Sequence, residues 1–235
     1  MKLTILGANG PYPGADGACS GYLVEGGGAA LMLDAGSGAL ARLMGRLPLT
    51  ELDAAVLSHL HYDHMSDMLP MLYALGFSGR SQPLRTIAPH TPEAARALLN
   101  HPALAVEEPT ETAVKGLKLT FAPARHPIEA YMISVEGDGR RLAFTGDTNT
   151  CDGLYAFAAG ADLLLADAGL LHRDWTEQSP HLSAALCGEL AAKAGARRLV
   201  LTHLSPRYDP ADVLAEARAA FPAAQLARAG ETIEV

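Results

Sequence analysis

The chain holds only three cysteines in 235 residues, Cys19, Cys151 and Cys187, an odd number without a CxxC spacing. That argues against a disulfide framework or a cysteine zinc site, and small buried thiols are the expectation. No apolar run approaches the roughly 18 residues that a membrane span needs, so no membrane partner is expected. The opening stretch MKLTILGANG runs directly from a strand-like segment into glycine. It lacks the longer apolar segment and small-residue cleavage site of an export signal, and the expected location is the cytoplasm. The stretch Gly7 to Gly14 lacks the lysine of GxxxxGK[ST], which excludes a phosphate loop and leaves a mobile loop near the site as the expectation. Repeats, low-complexity tracts and Ser/Pro-rich linkers are also missing. A single domain over residues 1–235 follows.

Positive charge is the minority sign. The formal net charge is −8, and only four lysines (Lys2, Lys115, Lys118 and Lys193) accompany 14 arginines. Such a chain repels polyanions as a whole, which weighs against a long nucleic acid held on a broad basic surface. What is abundant is apolar: 49% hydrophobic against 19% charged residues, a globular composition able to bury a substantial core.

The first third reads as paired strands punctuated by glycine: KLTILG, GYLVE and AALMLDAG, followed by a short helix from Ser37 to Gly45. DAAVLSHL is a buried strand. After it, Met65, Met68, Leu69, Leu72 and Leu75 recur at helical spacing and are expected in the core. LRTIAP is a strand, and Thr91-Pro92-Glu93 opens a helix with Thr91 as cap and Pro92 first. KGLKLTFAPARH is extended, and YMISVEGDGRRLAFTGD forms two strands about a glycine-rich turn. ADLLLADA and RRLVLTHLSP are strands alternating with the helices SAALCGELAAKAG and DPADVLAEARAAF, and AQLARAGETIEV is a last strand. Strand pairs first and helix–strand alternation later predict an αβ/βα four-layer sandwich, with two mixed sheets face to face and helices outside.

The segment VLSHLHYDH places His59, His61, Asp63 and His64 within six positions directly after an apolar run. Each brings a polar head that needs a partner when buried. His126, Asp147 and His203 also follow apolar strands, and strands of a sandwich end along a common edge. Five imidazoles and two carboxylates suit two borderline divalent ions, each with nitrogen-rich ligation and an open position. Alternate residues His59 and His61 can face one ion, Asp63 and His64 the other, and a carboxylate such as Asp147 can bridge both.

HLHYDH, His126, TGDT and THLSP, together with LDAG at 33–36, resemble the metallo-β-lactamase superfamily in order and over nearly the whole chain. The resemblance implies that His59, His61 and His126 hold one ion, and Asp63, His64 and His203 the other, with Asp147 between. Zn²⁺ is the leading expectation, Mn²⁺ or Fe the alternatives. GPYPGADGACSGYLVE, LLLADA and SPHLSAALCGELA are similar to the ribonuclease Z-like phosphodiesterase branch. There an acidic residue and a histidine assist the leaving group, which implies roles for Asp167 and His181. That branch usually carries glutamate where this chain has Asp167. A homodimer is common in the branch and is expected here by analogy alone.

The implied chemistry is hydrolysis of a phosphodiester by an ion-activated water, with Asp63 orienting that water or taking its proton and His181 acting as general acid. Members that process transfer RNA precursors carry a long arm between the third-motif histidine and the bridging aspartate. Here His126 and Asp147 are 21 positions apart, an interval filled by two strands. A small or cyclic phosphodiester, or a nucleotide, is therefore the expected substrate. A ribonuclease Z-like RNA endonuclease is the alternative, as is a carbon-ester hydrolase (lactonase or thioesterase). Ser20, Asp34 and Thr148 are read as supports of the site, and His90, His101 and His172 as ordinary polar filler.

Overall fold

In the computed structural model, which describes all 235 residues, two seven-stranded mixed sheets pack face to face, and helices cover their outer faces. In the first sheet β1 (Lys2–Gly7), β2 (Gly21–Gly26) and β3 (Ala29–Ala35) form an antiparallel meander, and β4 (Ala54–Val56), β5 (Leu84–Ile87) and β6 (Leu104–Glu107) continue it in parallel. In the second, β7 (Thr112–Val114), β8 (Leu117–Pro123), β9 (Tyr131–Gly137) and β10 (Arg140–Phe144) are antiparallel. The strands β11 (Leu163–Asp167), β12 (Leu199–Thr202) and β13 (Gln225–Leu226) then run parallel. Parallel strands need cover on both faces, and the sequence supplies it. In β11, Leu163 and Leu165 enter the core between the sheets, while Leu164 and Ala166 face the outer helices. In β3, Leu31 and Leu33 point inward and Met32 outward. The alternation is period two with both phases apolar, as a doubly covered strand requires. Each such buried leucine contributes about 1.5–3 kcal/mol.

The three apolar clusters correspond to the three interfaces of a four-layer sandwich. One lies between the sheets, one beneath α1 (Ala39–Met44), α2 (Tyr62–Met65), α3 (Met68–Phe77) and α4 (Glu93–Ala97), and one beneath α5 (Leu154–Ala158), α6 (Ala184–Ala194) and α7 (Pro210–Ala220). Gly195 closes α6 in the left-handed conformation, and Asp209 caps α7 through Ala211 N–H with Pro210 at its first position. No helix is long and apolar enough to cross a membrane. All three cysteines are free.

Three expectations need correction. Thr91 does not cap α4: Pro92 holds that place, and the Thr91 amide and hydroxyl both donate to Glu129 Oε2, a charged acceptor that outcompetes the local cap. The final segment is two strands, not one. β13 joins the second sheet, and after a turn at Gly230 (φ 90°) the strand β14 (Thr232–Glu234) pairs with β1 in the first. Leu69 is not core; it is exposed, whereas Met65, Met68 and Leu75 are buried and Leu72 is half-buried.

Candidate metal centre

The predicted constellation gathers at the carboxyl ends of strands, with Asp63 and His64 on α2 just beyond β4. His59 follows β4, His126 follows β8 and Asp147 follows β10, each three residues beyond the strand, while His203 comes directly after β12 and Asp167 ends β11. The two sheets are joined here: His59 bridges to Ala130, and Tyr131 N–H donates to Ser58 carbonyl. Ligands from β4 in one sheet thereby meet ligands from β8, β10 and β12 in the other.

Two donor groups result: His59, His61 and His126, and Asp63, His64, Asp147 and His203. His61 Nδ1 lies 3.2 Å from His59 Nε2 and 3.0 Å from His126 Nε2. His203 Nε2 lies 3.1 Å from Asp63 Oδ2 and 3.2 Å from Asp147 Oδ2. His64 Nε2 is 3.3 Å from Asp147 Oδ2 and 3.5 Å from Asp63 Oδ2.

The supporting network decides which nitrogen of each ring faces the cluster. Asp34 is fully buried and accepts from Ser58 N–H (2.7 Å), Ser58 Oγ–H (2.8 Å) and His64 Nδ1–H (2.8 Å). Ser58 Oγ, with its proton on Asp34, accepts from His59 Nδ1–H at 3.0 Å. His126 Nδ1–H donates to the Pro180 carbonyl at 3.1 Å. In all three rings the Nε2 lone pair is thereby aimed into the cluster, the arrangement that metal-binding histidines use.

Three observations show that these residues fit cations. His59 Nε2 and His126 Nε2 both present lone pairs to His61 Nδ1, which has one proton at most and can satisfy only one of them. His64 Nε2 and His203 Nδ1 are buried without any hydrogen-bond partner; His64 Nε2 lies near two carboxylates but in bonding geometry with neither. Asp34, Asp63, Asp147 and Asp167 are packed together with histidines as their only ionic partners and no lysine or arginine among them. Buried carboxylates in that number call for positive charge.

The proton affinities carry the same message. Burial pushes His59 well down, and it lowers His61 and His126 too, so the first triad is neutral and ready to ligate. For His64, burial is outweighed by the carboxylates of Asp147 and Asp34, which raise it well above its usual value. Asp63 is held far below the carboxylate range, its burial outweighed by His203 and His64. Asp147 is likewise held well below, against burial, by His203, His64 and His59. The second group therefore attracts positive charge even onto an imidazole.

His181 and Asp167 stand beside these groups. His181 Nδ1 donates to Asp167 Oδ2 at 2.9 Å, and Asp167 is fixed by Thr148 N–H (3.1 Å) and Gly169 N–H (2.9 Å). Burial would lower the His181 pKa, but the Asp167 charge and hydrogen bond raise it to about 9. Of the remaining supports read from sequence, Thr148 Oγ accepts from Arg125 N–H next to His126, whereas Ser20 is buried with its hydroxyl unpartnered. His172 stacks on Trp175 and bonds Ser183, away from the ligands; His90 lies 3.7 Å from Glu108, and His101 Nδ1 accepts from Ala103 N–H.

One participant escaped the sequence reading. A Cβ on Gly10 would overlap the His203 ring, so this glycine lets the backbone lie directly on a candidate ligand. The loop around it does sit at the site. It is tied there by Gly10 N–H to the Leu204 carbonyl and by Asn9 Nδ2 to the same oxygen.

These features make a candidate metal centre on a metallo-β-lactamase sandwich, and residues 29–204 match the family described as "Beta-lactamase superfamily domain". The chain belongs to that superfamily. It is 31% identical over 230 residues, 94% of each chain, to the probable metallo-hydrolase YhfI of Bacillus subtilis (strain 168). It is also 28% identical to a ribonuclease Z of Bradyrhizobium sp. (strain ORS 278), covering 97% of both. The crystal structure of YhfI superposes with a TM-score of 0.93 over 99% of both chains at 28% identity. Human tRNase Z, short form, superposes at 0.80 over 100% of this chain and 99% of that one; at 21% identity this is a likeness of fold.

Proposed function

We propose that this chain is a dinuclear metal-dependent phosphodiesterase acting on a small or cyclic phosphodiester. The observation that carries the reading is the His181–Asp167 pair beside the two donor groups. Plain carbon-ester hydrolysis gives such a pair no clear task, whereas a phosphodiester with a poor alkoxide leaving group needs a proton delivered to it. The ribonuclease Z relatives support phosphodiester chemistry.

His59, His61 and His126 would hold one ion, and Asp63, His64 and His203 the other, with Asp147 shared. The nitrogen-rich sets suit zinc, with manganese or iron as alternatives. Two such ions, when bound, would supply an activated water near neutral pH and offset phosphate charge. Asp63, half-buried at the start of α2, is placed to orient that water or accept its proton. His181 spends Nδ1 on Asp167 and keeps Nε2 for the leaving oxygen. In the metal-free protein the Asp167 charge raises its pKa to about 9, which favours the protonated ring. Asp167, His181, Asp147 and His203 also form a third donor group. We assign His181 to proton transfer because its Nδ1 is already engaged.

A small substrate is favoured over RNA because β9 and β10, joined by the Asp138-Gly139 turn, occupy most of the short interval from His126 to Asp147. The reading is tested with metal-loaded wild type and His181→Ala, metal content checked in both. The substrates are an alkyl phosphodiester, a cyclic nucleotide and the activated diester bis(p-nitrophenyl) phosphate. The expected result is alkyl-diester turnover that falls about 10²–10⁴-fold in the variant, with the activated ester much less affected. Failure of metal-replete wild type on every diester refutes the reading and turns attention to lactones and thioesters.

A further inference from the structure

The chain reaches His181 through residues 175–180, which contain no helix or strand. Within this segment only Thr176 and Ser179 bond to one another, through their backbone and hydroxyls. Its carbonyls are nevertheless taken by residues from elsewhere in the chain. Pro180 receives His126 Nδ1–H. Those of Thr176, Glu177 and Ser179 receive Asn149 Nδ2, at 3.1, 3.3 and 2.7 Å, and Glu177 also receives Arg125 Nη2. A segment without secondary structure keeps one shape only where such outside partners fix its backbone.

Asn149 is fully buried and stands two positions after Asp147. Its amide can point only one way. Oδ1 accepts from Trp175 Nε1–H at 2.9 Å and from Thr150 N–H at 2.7 Å, so Nδ2 faces the three carbonyls. An aspartate would set an oxygen against those carbonyls, and a serine has a single donor. The backbone completes the arrangement. Asn149 N–H donates to the Arg125 carbonyl, Arg125 N–H to Thr148 Oγ, and Arg125 Nη1 to the Thr150 carbonyl. One residue thereby ties the loop bearing Asp147 to the loops bearing His126 and His181.

We infer that Asn149 is a positioning residue that sets His126 and His181 together, with Arg125 as its auxiliary. Pro180 is where the two effects meet. Its carbonyl fixes the His126 tautomer, and its peptide leads directly into His181. Freeing the neighbouring Ser179 carbonyl, the shortest of the three bonds, lets both shift. The consequence for His126 holds whatever the reaction; that for His181 rests on the phosphodiesterase reading.

The test compares wild type with Asn149→Ala and with Glu177→Ala. The latter alters the same segment at an exposed side chain and keeps the carbonyl that the amide holds. Competition against a chromophoric chelator reads the two ion affinities, and turnover of the alkyl and activated diesters reads His181. In Asn149→Ala one ion, that of the His126 group, should bind about 10–100-fold more weakly, with the other little changed. In metal-loaded protein, alkyl-diester kcat should fall about 10²-fold with KM retained and the activated diester much less affected. A merely structural defect would lower both turnovers alike. Glu177→Ala should match wild type on every count. Thermal melting establishes folding. Should Asn149→Ala not fold, Arg125→Met, which withdraws only an exposed guanidinium, decides by the same pattern at smaller size. A folded variant that keeps both ion affinities overturns the assignment to His126, and one that keeps the alkyl-to-activated ratio overturns that to His181. Equal losses in Glu177→Ala overturn both. Weakened ion binding in a chain whose wild type cleaves no diester refutes the phosphodiesterase reading and leaves the role at His126 standing.

Discussion

Asp34 controls both donor groups through one carboxylate, and Asp34→Asn isolates that role. The wild-type residue has φ 53°, a left-handed conformation that asparagine tolerates and alanine does not. Alanine would add about 1–2 kcal/mol of backbone cost to the loss of all three accepted hydrogen bonds. A buried partner removed in this way costs about 3–5 kcal/mol, a large share of the roughly 5–15 kcal/mol that holds a domain together. Asparagine keeps the volume, the backbone and the Oδ1 acceptor for Ser58 N–H. Its Nδ2 then stands where Oδ2 accepted from His64 Nδ1–H at 2.8 Å. Two donors cannot face one another, so the neutral His64 ring must carry its proton on Nε2, the nitrogen beside Asp63 and Asp147. Its lone pair is lost to any ion there.

The expected outcome is a folded protein, destabilised by about 1–3 kcal/mol for each of the two mismatched bonds, to His64 Nδ1 and to Ser58 Oγ, whose second ion binds about 10–100-fold more weakly. The first triad weakens as well, because Ser58 Oγ–H loses its acceptor and turns towards His59 Nδ1, which disturbs the tautomer that aims His59 Nε2. Urea unfolding of the metal-free protein gives the stability change. Competition against a chromophoric chelator gives the two affinities. A folded Asp34→Asn with two unaltered affinities refutes the tautomer argument.

Two further predictions concern the same centre. Gly10→Ala sets a methyl against the His203 ring, so the variant should fold yet lose affinity for the ion that His203 helps hold; an unaltered metal titration would show that the loop yields freely. His181 is an acid whose folded-state pKa in the metal-free protein is raised to about 9, so wild-type alkyl-diester turnover should fall with rising pH, at or below about 9. Bound cations nearby can only bring that limb lower. In the metal-free protein the same shift contributes stability that is full below the ordinary histidine value of about 6.5 and lost as pH rises through about 9. His181→Ala should lack both effects, as read by pH–rate profiles and pH-dependent melting.

The sandwich was legible because its signals are local. The two-phase apolar pattern of Leu163 to Ala166 tells of cover on both faces, and the glycine-broken pairs tell of hairpins. Where the reading failed, distant partners had decided. Glu129, 38 positions away, draws Thr91 out of its cap. The chain crossing at Gly230 divides one apparent strand between two sheets. Leu69 has the right spacing for the core, yet α3 is apolar on more faces than the fold can cover.

The site divides along a related line. Its ligands are legible because imidazole and carboxylate are rare after apolar strands, and because HLHYDH concentrates four of them in one turn. Several elements that aim the site residues are backbone: the Pro180 carbonyl behind His126, the Gly10 peptide upon His203, and the Thr148 and Gly169 amides around Asp167. A backbone group bears no residue signature, so nothing in the sequence marks it. Only geometry shows that His203 itself adopts φ 54° and Gly146 φ 54° as their strands end. Side chains other than glycine visit that region at a cost of about 1–3 kcal/mol and persist where surrounding structure enforces it. At His203 the enforcement is visible in Leu204 N–H donating to the Ala8 carbonyl, with Gly10 N–H returning to Leu204. The loop after β1 in the first sheet thus holds a ligand that follows β12 in the second. Sheet packing and the placement of His203 are therefore coupled through the same few hydrogen bonds.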